Sequence, residues 1–456
     1  MTPKIYTSIL EAIGDTPLIE LGKITKGIKA RVLAKVEHFN PGGSVKDRIA
    51  KSMIDAAEAA GELKPGGMIV EATSGNTGAG LAMIAAVRGY KALFTMPDKM
   101  SAEKIRLLKA YGADVIVCPT AVPAESPESY YEVAKKVVRE NENAILANQY
   151  FNPENPKAHY LTTGPEIWQQ TEGEIDYFVA GIGTGGTISG TAKYLKEKNP
   201  DIKVIGADPV GSILKEYFQT KKLTEARPYK VEGVGEDIIP GTLNFEVIDE
   251  VISADDKSSF QTARRLAREE GLFVGGSCGL AAAVALKVAS GLPAGKTVVV
   301  LLPDTGERYL SKFYNDEWMR ENRFLEIERV TLQEILESKS SSLAPIISVT
   351  SETSVRQAFS LMEEKNISQM PILDHGTFVG SIEEGSLTGK ILDNQDLING
   401  KITGIMDPPF PILQANDTID TARTLFGQKY AAIVVNDGSR PIGIFTKSDI
   451  ISFISM

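Results

Sequence analysis

Short runs of β-branched and other apolar residues alternate with helix-length segments between about residue 30 and residue 310. The runs are Ala30–Val36, Gly67–Glu71, Lys91–Met96, Asp114–Val117, Tyr177–Ala180, Lys203–Ala207 and Thr297–Leu302. Strands that are apolar along their whole length and are separated by helices are typical of a parallel sheet covered on both faces. The pattern therefore predicts an α/β fold for this part of the chain.

The pattern changes after residue 325. A charged stretch at 326–329 and a serine-rich stretch at 338–342 indicate a linker over residues 326–342, following a catalytic domain at 1–325. Beyond the linker, a strand, a helix and two strands are predicted twice, at a spacing of roughly 60 residues. We therefore expect two small β-α-β-β modules, at 343–395 and 396–456, that pack as a pair because one module alone has little core.

Composition narrows the possible partners. The 456 residues carry a formal net charge of −10, with a pI near 5.2, which argues against binding to nucleic acid or to anionic lipid. Cys118 and Cys278 lie far apart without metal-ligand spacing, so we expect neither a disulfide framework nor a metal site. The sequence also lacks an apolar signal core or a membrane-spanning run, which predicts a cytoplasmic protein.

Lys46 follows a turn of Asn40, Pro41, Gly42 and Gly43 and precedes a predicted helix. Most lysines are solvated surface residues, but this turn places Lys46 at the carboxyl end of a strand, where open α/β sheets bind ligands. An amine held in such a place can become nucleophilic and form a Schiff base with an aldehyde cofactor.

A second loop, Thr73–Gly78, lies between a predicted strand and a predicted helix. Its small residues allow backbone N–H groups to approach an anion at the helix N-terminus, and its hydroxyl groups add donors. The loop could therefore bind a carboxylate. An N-terminal helix cap without a ligand explains the same residues equally well.

The third loop, Gly181–Thr187, matches G-x-G-x-x-G, and Asp208 follows about 20 residues later, as in a dinucleotide-binding fold. This pattern permits an NAD-dependent oxidoreductase. The same glycines, with Thr184 and Thr187, could instead bind one phosphate monoester. The motif alone does not decide between the two interpretations.

The three loops and a fourth segment, Phe273–Gly279, occur in an order that resembles the fold-type II pyridoxal phosphate (PLP) enzymes of the cystathionine β-synthase and cysteine synthase family. The resemblance extends from Ile13 to Arg308. It implies a tryptophan synthase β-like fold with two α/β subdomains, and PLP as the cofactor.

The resemblance also implies the roles of particular residues. Lys46 would form the Schiff base, Asn76 would hydrogen-bond the ring hydroxyl of the cofactor, and Ser277 would face its pyridine nitrogen. The cofactor phosphate would be bound by Gly183, Thr184, Gly185, Gly186 and Thr187. The substrate would be bound by Thr73, Ser74, Asn76, Thr77, Gln149, Tyr150 and Tyr90.

The reaction implied by the resemblance is a β-replacement that condenses L-serine with L-homocysteine to give L-cystathionine and water, a step of transsulfuration and cysteine biosynthesis. A cysteine synthase that uses O-acetylserine and sulfide is the close alternative. Tyr150 and the C-terminal tail favour cystathionine synthesis. Animal members of the family carry an N-terminal haem segment, but here the catalytic pattern begins almost at Met1, so we expect no haem.

The repeated tail resembles paired Bateman domains, which often bind adenosyl ligands. Thr446 and Asp449 match the ribose-binding pattern, whereas the first copy has Glu383 and Ser386 at those positions. We therefore expect at most one well-formed site, for S-adenosylmethionine or an adenine nucleotide; a helix-capping role for Asp449 and a purely structural tail are the alternatives. The family also implies a homodimer or higher homo-oligomer.

Overall fold

A computed structural model describes residues 5–73, 75–98, 100, 102–119, 122–123, 125–325, 330–339, 346–428, 430–438 and 440–454. The chain divides into two compact units, residues 1–325 and 326–456. Ser74, which we predicted to bind substrate, lies outside the described residues. None of the helices in the described part of the chain combines the length and the apolar character that a transmembrane helix requires.

Two parallel sheets organise the first unit. Its strands are β1 (Leu18–Glu20), β2 (Arg31–Val36), β3 (Met68–Ala72), β4 (Lys91–Pro97), β5 (Asp114–Cys118), β6 (Ala144–Leu146), β7 (Tyr177–Gly181), β8 (Lys203–Pro209), β9 (Glu250–Ala254) and β10 (Thr297–Leu302). The larger sheet has the order β1-β2-β10-β7-β8-β9 and the smaller sheet the order β5-β4-β3-β6. All neighbouring pairs are parallel except β1 with β2.

The helices of this unit are α1 (Lys46–Ala59), α2 (Asn76–Arg88), α3 (Ala102–Ala110), α4 (Tyr130–Arg139), α5 (Glu154–Leu161), α6 (Thr163–Gln170), α7 (Gly186–Lys198), α8 (Leu214–Thr220), α9 (Asp256–Glu270), α10 (Gly276–Ser290) and α11 (Asp316–Glu321). They cover both faces of the larger sheet. Val298 and Val300 of β10 pack into one core cluster, while Val299 and Leu301 pack into another. A strand buried on both faces must be apolar throughout, so the predicted α/β fold is confirmed.

The smaller sheet is inserted in the chain between β2 and β7 of the larger sheet, which gives two subdomains. The predicted strands all form. Three short strands escaped prediction, β1, β6 and β9, because three to five residues leave too little periodicity to recognise.

The second unit contains the predicted repeat. Its elements are α12 (Leu332–Lys339), α13 (Val355–Lys365), β11 (Gln369–Asp374), β12 (Thr377–Glu383), α14 (Glu384–Asp393), β13 (Ile412–Gln414), α15 (Ile419–Gly427), β14 (Ala432–Asp437), β15 (Arg440–Thr446) and α16 (Lys447–Ile454). In the first copy, the predicted initial strand is reduced to a single bridge between Val349 and Ile372. Phe378 of the first copy packs against the cluster formed by Phe410, Ala432 and Val434 of the second.

Part of the stretch that we interpreted as a linker is helical. Leu332, Ile335 and Leu336 of α12 are buried in the core of the second copy, together with Phe426 and Phe445. Their spacing of three and four residues places them on one face of the helix, and this face completes a small core. Residues 326–329 and 340–342 of the interpreted linker lie outside the described residues.

Candidate active site

Lys46 is the first residue of helix α1, and the preceding turn is fixed by hydrogen bonds. The N–H of Gly42 donates to Asp47 Oδ2 at 2.6 Å, and the N–H of Val45 donates to the carbonyl of Pro303 at 2.8 Å. Gly43 has a φ of +75°, a conformation that favours glycine. These contacts attach the start of α1 to the carboxyl end of β10.

The Lys46 side chain is half-buried and lies near two acidic groups. Burial lowers the pKa of its ammonium group, while the charges of Asp304 and Glu236 act in the opposite direction. Burial disfavours the charged form of an amine, so a larger fraction of Lys46 is neutral and nucleophilic than in water.

Asn76, at the start of α2, is held between two charged residues of the other subdomain. Its Nδ2 donates to Asp304 Oδ2 at 2.9 Å, and the guanidinium of Arg308 donates to its Oδ1. Arg308 also donates to the carbonyl of Gly42, and Tyr309 donates to Asp304 Oδ2 at 2.7 Å. The orientation of the amide is thereby fixed, and one of its two N–H groups is used by Asp304.

The loop before α2 meets Gln149, which follows β6. The hydroxyl of Thr77 donates to Gln149 Oε1 at 2.6 Å. Thr73 Oγ1 accepts from the N–H groups of Gly75 and Gly78, at 3.1 and 3.4 Å. Gly75 has a φ of +145°, which an L side chain would not tolerate. The predicted substrate residues Thr73, Thr77 and Gln149 therefore lie together.

Glu71, near the end of β3, fixes the backbone at Gln149 by hydrogen bonds. Its carboxylate accepts from the N–H groups of Asn148 and Gln149, at 2.6 and 3.1 Å. Burial raises the pKa of Glu71 to about 7, although these two backbone donors favour the ionised form. Asn148 has a φ of +55°, so the chain turns sharply to present Gln149.

The third loop follows β7 and leads into α7. Gly185 has a φ of +83°, and a Cβ at Gly183 would come within 2.7 Å of the carbonyl of Gly233. A Cβ at Gly186 would overlap Asn155 Oδ1. The glycines are therefore required by close approach of the backbone. The first N–H groups of α7 are left without partners inside the helix, because a helix cannot pair these donors internally. We call the segment Gly183–Thr187, which surrounds these donors, the cup.

Asn155 and His159 of α5 hold the hydroxyl groups around this cup. Asn155 Nδ2 donates to Thr184 Oγ1 at 3.0 Å, while its buried Oδ1 has no hydrogen-bond partner among the described residues. The ring of His159 bonds Thr187 Oγ1 at 3.1 Å and Thr163 Oγ1 at 2.8 Å. Burial lowers the pKa of His159 well below its usual value, so the ring is neutral at pH 7.

Ser277 is buried in the first turn of α10, immediately after Gly275 and Gly276. A Cβ at Gly275 would overlap the carboxylate of Asp304, so the helix approaches this acid as closely as a backbone can. The same helix carries Cys278, whose Sγ lies 3.6 Å from Asp304 Oδ1. Burial raises the pKa of this thiol well above its usual value, and Cys278 is therefore an unreactive core residue.

Tyr150 and Glu236 form the other side of the cleft. Their side chains interact electrostatically with each other, and Glu236 also interacts electrostatically with Lys46. Nearby, Glu232 forms ion pairs with Lys104 and Lys312. The loop that carries both glutamates is thus anchored by charge at one end and faces the cleft at the other.

The structure does not bring Tyr90 to this cleft, contrary to our expectation from the resemblance. Tyr90 follows the far end of α2, whose 13 residues separate it from the loop at Asn76 by about 20 Å. Its hydroxyl donates to Glu58 at 2.7 Å instead. A helix that begins at the carboxyl edge of a sheet ends at the opposite edge, and this geometry excludes Tyr90 from the site.

Thr446 and Asp449 lie in the second unit, at the start of α16. Asp449 Oδ2 accepts from the N–H and the hydroxyl of Thr446, at 2.6 and 2.9 Å. In the first copy, the hydroxyl of Ser386 donates to Asp407 at 2.8 Å, and burial raises the pKa of Glu383. The two copies therefore differ at the predicted adenosyl position.

Several residues of the site were not predicted from the sequence. They are Glu71, Asn155, His159, Asp304 and Arg308. Asp304 and Arg308 follow β10 at the same sheet edge as Lys46, and this position was a usable signal. Asn155 and His159 sit on a short helix without a motif, so no local signal marks them. Within the described residues, no group of three or more His, Cys, Asp or Glu could hold a metal ion.

Comparison with known proteins places this geometry in a family. The description "Pyridoxal-phosphate dependent enzyme" matches residues 9–304, and "CBS domain" matches residues 341–393 and 402–456. The chain is 40% identical to a cystathionine beta-synthase of Oryctolagus cuniculus, over the whole chain and 86% of the relative. It is also 46% identical to a cysteine synthase of Staphylococcus aureus, over 68% of the chain and 97% of the relative.

A solved structure of an O-ureido-L-serine synthase superposes with a TM-score of 0.64 at 38% identity, covering 70% of this chain and all of that one. Fold and site thus define a pyridoxal-phosphate-dependent enzyme with C-terminal CBS domains. The chain belongs to the cystathionine beta-synthase family. The nicotinamide alternative is not supported, because Asp208 is fully buried and accepts from the N–H of Lys215 near the start of α8.

The neutral state of His159 predicts a pH dependence of stability. The unfolded chain has a histidine pKa near 6.5, so it binds more protons than the folded protein below that pH. The free energy of unfolding should therefore fall as pH decreases below about 6.5, by up to about 1.4 kcal/mol per pH unit from this residue. His159→Gln should make the free energy of unfolding depend less on pH below about 6.5.

Denaturation followed by tryptophan fluorescence checks this prediction, since Trp168 and Trp318 both belong to the first unit. His375→Gln removes an exposed histidine of the second unit and is the matched control. Curves for wild type and His159→Gln that stay parallel down to pH 5.5 would contradict the assignment.

Proposed function

We propose that this enzyme uses PLP to condense L-serine with L-homocysteine, giving L-cystathionine and water. The observation that supports the proposal is a chain of hydrogen bonds around the half-buried Lys46. Arg308 joins the turn before Lys46 to Asn76, Thr77 bonds Gln149, and Asn155 joins Gln149 to the glycine-rich loop at Thr184. Family membership supports the reaction class.

The cup at the start of α7 suits the phosphate of PLP. Its glycines admit no Cβ without overlap, and the N–H groups of the first turn, with Thr184 and Thr187, would donate to the phosphate. Lys46 would hold the cofactor through its aldehyde carbon. Asn76 would donate its second N–H to the ring hydroxyl, and Ser277 would face the ring nitrogen.

PLP supplies an electron sink for the carbon that bears the substrate amino group. The side chains of the protein would move the proton and bind the substrate. Lys46 would take the proton from that carbon, and this kind of proton transfer contributes roughly 10²- to 10⁴-fold to a rate. Thr73, Ser74, Asn76, Thr77 and Gln149 would bind the serine carboxylate. The hydroxyl of Ser277 is uncharged and would not hold the ring nitrogen protonated as a carboxylate would, which favours replacement at Cβ over transamination.

Cysteine synthesis from O-acetylserine and sulfide is the second candidate function, because it would use the same lysine and loops. Two features favour homocysteine. Tyr150 directly follows Gln149 and interacts electrostatically with Glu236, and the chain carries the C-terminal repeats. The S. aureus cysteine synthase matches only 68% of this chain. Release of hydrogen sulfide from cysteine would be a side reaction of the same site.

The second unit would regulate the first by binding an adenosyl ligand at Thr446 and Asp449. S-adenosylmethionine is our first choice, and an adenine nucleotide is the second. A ligand acts only if it binds two arrangements of the protein with different affinity. We further propose a cytoplasmic homodimer or higher homo-oligomer, since closed symmetric assemblies are the common state of such enzymes.

The role of Lys46 predicts that Lys46→Ala loses turnover with serine and homocysteine by at least about 10²-fold. Lys51→Ala is the matched control, because Lys51 lies on the same helix and pairs with Asp55 at the surface. Borohydride reduction and peptide mapping should find the cofactor mass on Lys46. Cofactor mass on a different lysine would contradict the assignment.

The choice of substrates is checked by steady-state rates. We expect kcat/KM for homocysteine, measured with serine, to exceed kcat/KM for sulfide, measured with O-acetylserine. The physical reason is that Tyr150 and Glu236 add polar groups that sulfide cannot use. The opposite order would make cysteine synthase the function.

The positions of Thr446 and Asp449 in the second unit lead us to expect that the full-length protein binds S-adenosylmethionine. Calorimetry measures this binding. Asp449→Ala should weaken binding by about 10-fold or more, because it removes a charged acceptor for the ribose hydroxyls. Ser386→Ala, at the corresponding position of the first copy, should bind as the wild type does. Absence of heat with both S-adenosylmethionine and ATP would leave the tail a structural element.

A further inference from the structure

Glu236 occupies a fixed position on the loop that follows β8 and α8. Its N–H donates to Ser212 Oγ at 3.1 Å, and its carbonyl accepts from the N–H of Ile213 at 3.1 Å. The preceding residue, Gly235, donates to the carbonyl of Ile182 at 2.7 Å. The backbone at Gly235 and Glu236 is therefore tied to the segments that follow β7 and β8 of the larger sheet, which fixes the point from which the side chain extends.

The carboxyl group of Glu236 lies within the range of charge interaction of Lys46. It interacts electrostatically with both Lys46 and Tyr150. Tyr150 directly follows Gln149, which bonds Thr77 in the loop proposed to bind serine. Glu236 is only partly exposed, so it is open to a small ligand and shielded from bulk water.

The surroundings of Glu236 are aromatic and acidic. The tyrosines whose hydroxyls interact electrostatically with it are Tyr130, Tyr131, Tyr150 and Tyr229. Asp208 and Asp237 repel its charge, and Asp208 Oδ1 is buried without a hydrogen-bond partner among the described residues. Burial raises the pKa of Glu236 to about 8.

A cation that enters such a place stabilises the ionised form of the carboxyl group. The cation offsets both the cost of burying the negative charge and the repulsion from the neighbouring acids. Tyrosine rings add attraction for an ammonium group. Of the two substrates in the proposed reaction, the first places its amino group at the cofactor. The second, an amino-acid thiol, brings a free ammonium group with it.

We propose that Glu236 is a specificity-determining residue that binds the ammonium group of the second amino-acid substrate. The site thereby selects a thiol that carries an α-amino group over sulfide or a simple alkyl thiol. This inference rests on the proposed function and deepens it. A competing role, in which Glu236 accepts the thiol proton itself, would affect every thiol alike and is separated by the test.

The test compares three thiols with saturating serine: L-homocysteine, 4-mercaptobutanoate and sulfide. 4-Mercaptobutanoate has the carbon chain and carboxylate of homocysteine without its amino group. For Glu236→Gln, which keeps size and removes charge, kcat/KM for homocysteine should fall by about 10- to 100-fold. For the same variant, kcat/KM for 4-mercaptobutanoate and for sulfide should stay within about threefold of the wild-type values. The KM for serine should also stay within about threefold of the wild-type value.

Glu225→Gln is the matched control, because Glu225 is an exposed acid on the same loop between α8 and β9. This variant should change kcat/KM for each of the three thiols by less than about threefold. An equal loss for all three thiols in Glu236→Gln, or an unchanged value for homocysteine, would overturn the proposal. A wild-type enzyme that makes no cystathionine from serine would instead reject the proposed function.

Discussion

The placement of Lys46 depends on a buried group of ion pairs two residues further along α1. Arg48 Nε bonds Glu37 Oε2 at 2.7 Å, and its two terminal nitrogens bond Glu166 at 2.6 and 2.7 Å. Lys35, which is fully buried, bonds Glu166 at 2.6 Å. Removing one partner from such a group leaves a buried charge uncompensated, at a cost of about 3–5 kcal/mol. The network joins α1, β2 and α6, so the helix that begins with the reactive amine cannot shift against the larger sheet.

A second constraint, Asp304, joins the two subdomains across the cleft. Its carboxylate accepts from Asn76, which is 228 positions away in sequence, and from Tyr309. Arg308 completes the arrangement by bonding both Asn76 and the turn before Lys46. Three segments that are distant in sequence are thus fixed by charge-assisted hydrogen bonds, which are stronger and more directional than neutral ones. Gly275 allows the backbone before α10 to approach Asp304 and Tyr309 closely, because a Cβ there would overlap the carboxylate of Asp304.

The two repeats of the second unit show how one architecture can acquire a single specialised position. Both copies have a helix followed by two strands, with a further helix after the last strand. In the second copy, Thr446 and Asp449 bond each other, while in the first Ser386 bonds Asp407 and Glu383 replaces the threonine. The sequence difference was visible, but its consequence, a serine hydroxyl already used within the first copy, required the fold.

The sequence by itself determined the α/β class, the repeat and the motifs around Lys46, Asn76 and Gly183–Thr187, because apolar periodicity and glycine-rich turns are local properties of a chain. It could not place His159 or Glu71, since their roles arise from partners more than 20 positions away that only folding brings near. The error over Tyr90 has the same origin, because similarity of motif does not tell which end of a helix faces the cleft. Only the tertiary structure decided that Glu236 interacts electrostatically with Lys46, because burial and charge interactions depend on three-dimensional neighbours.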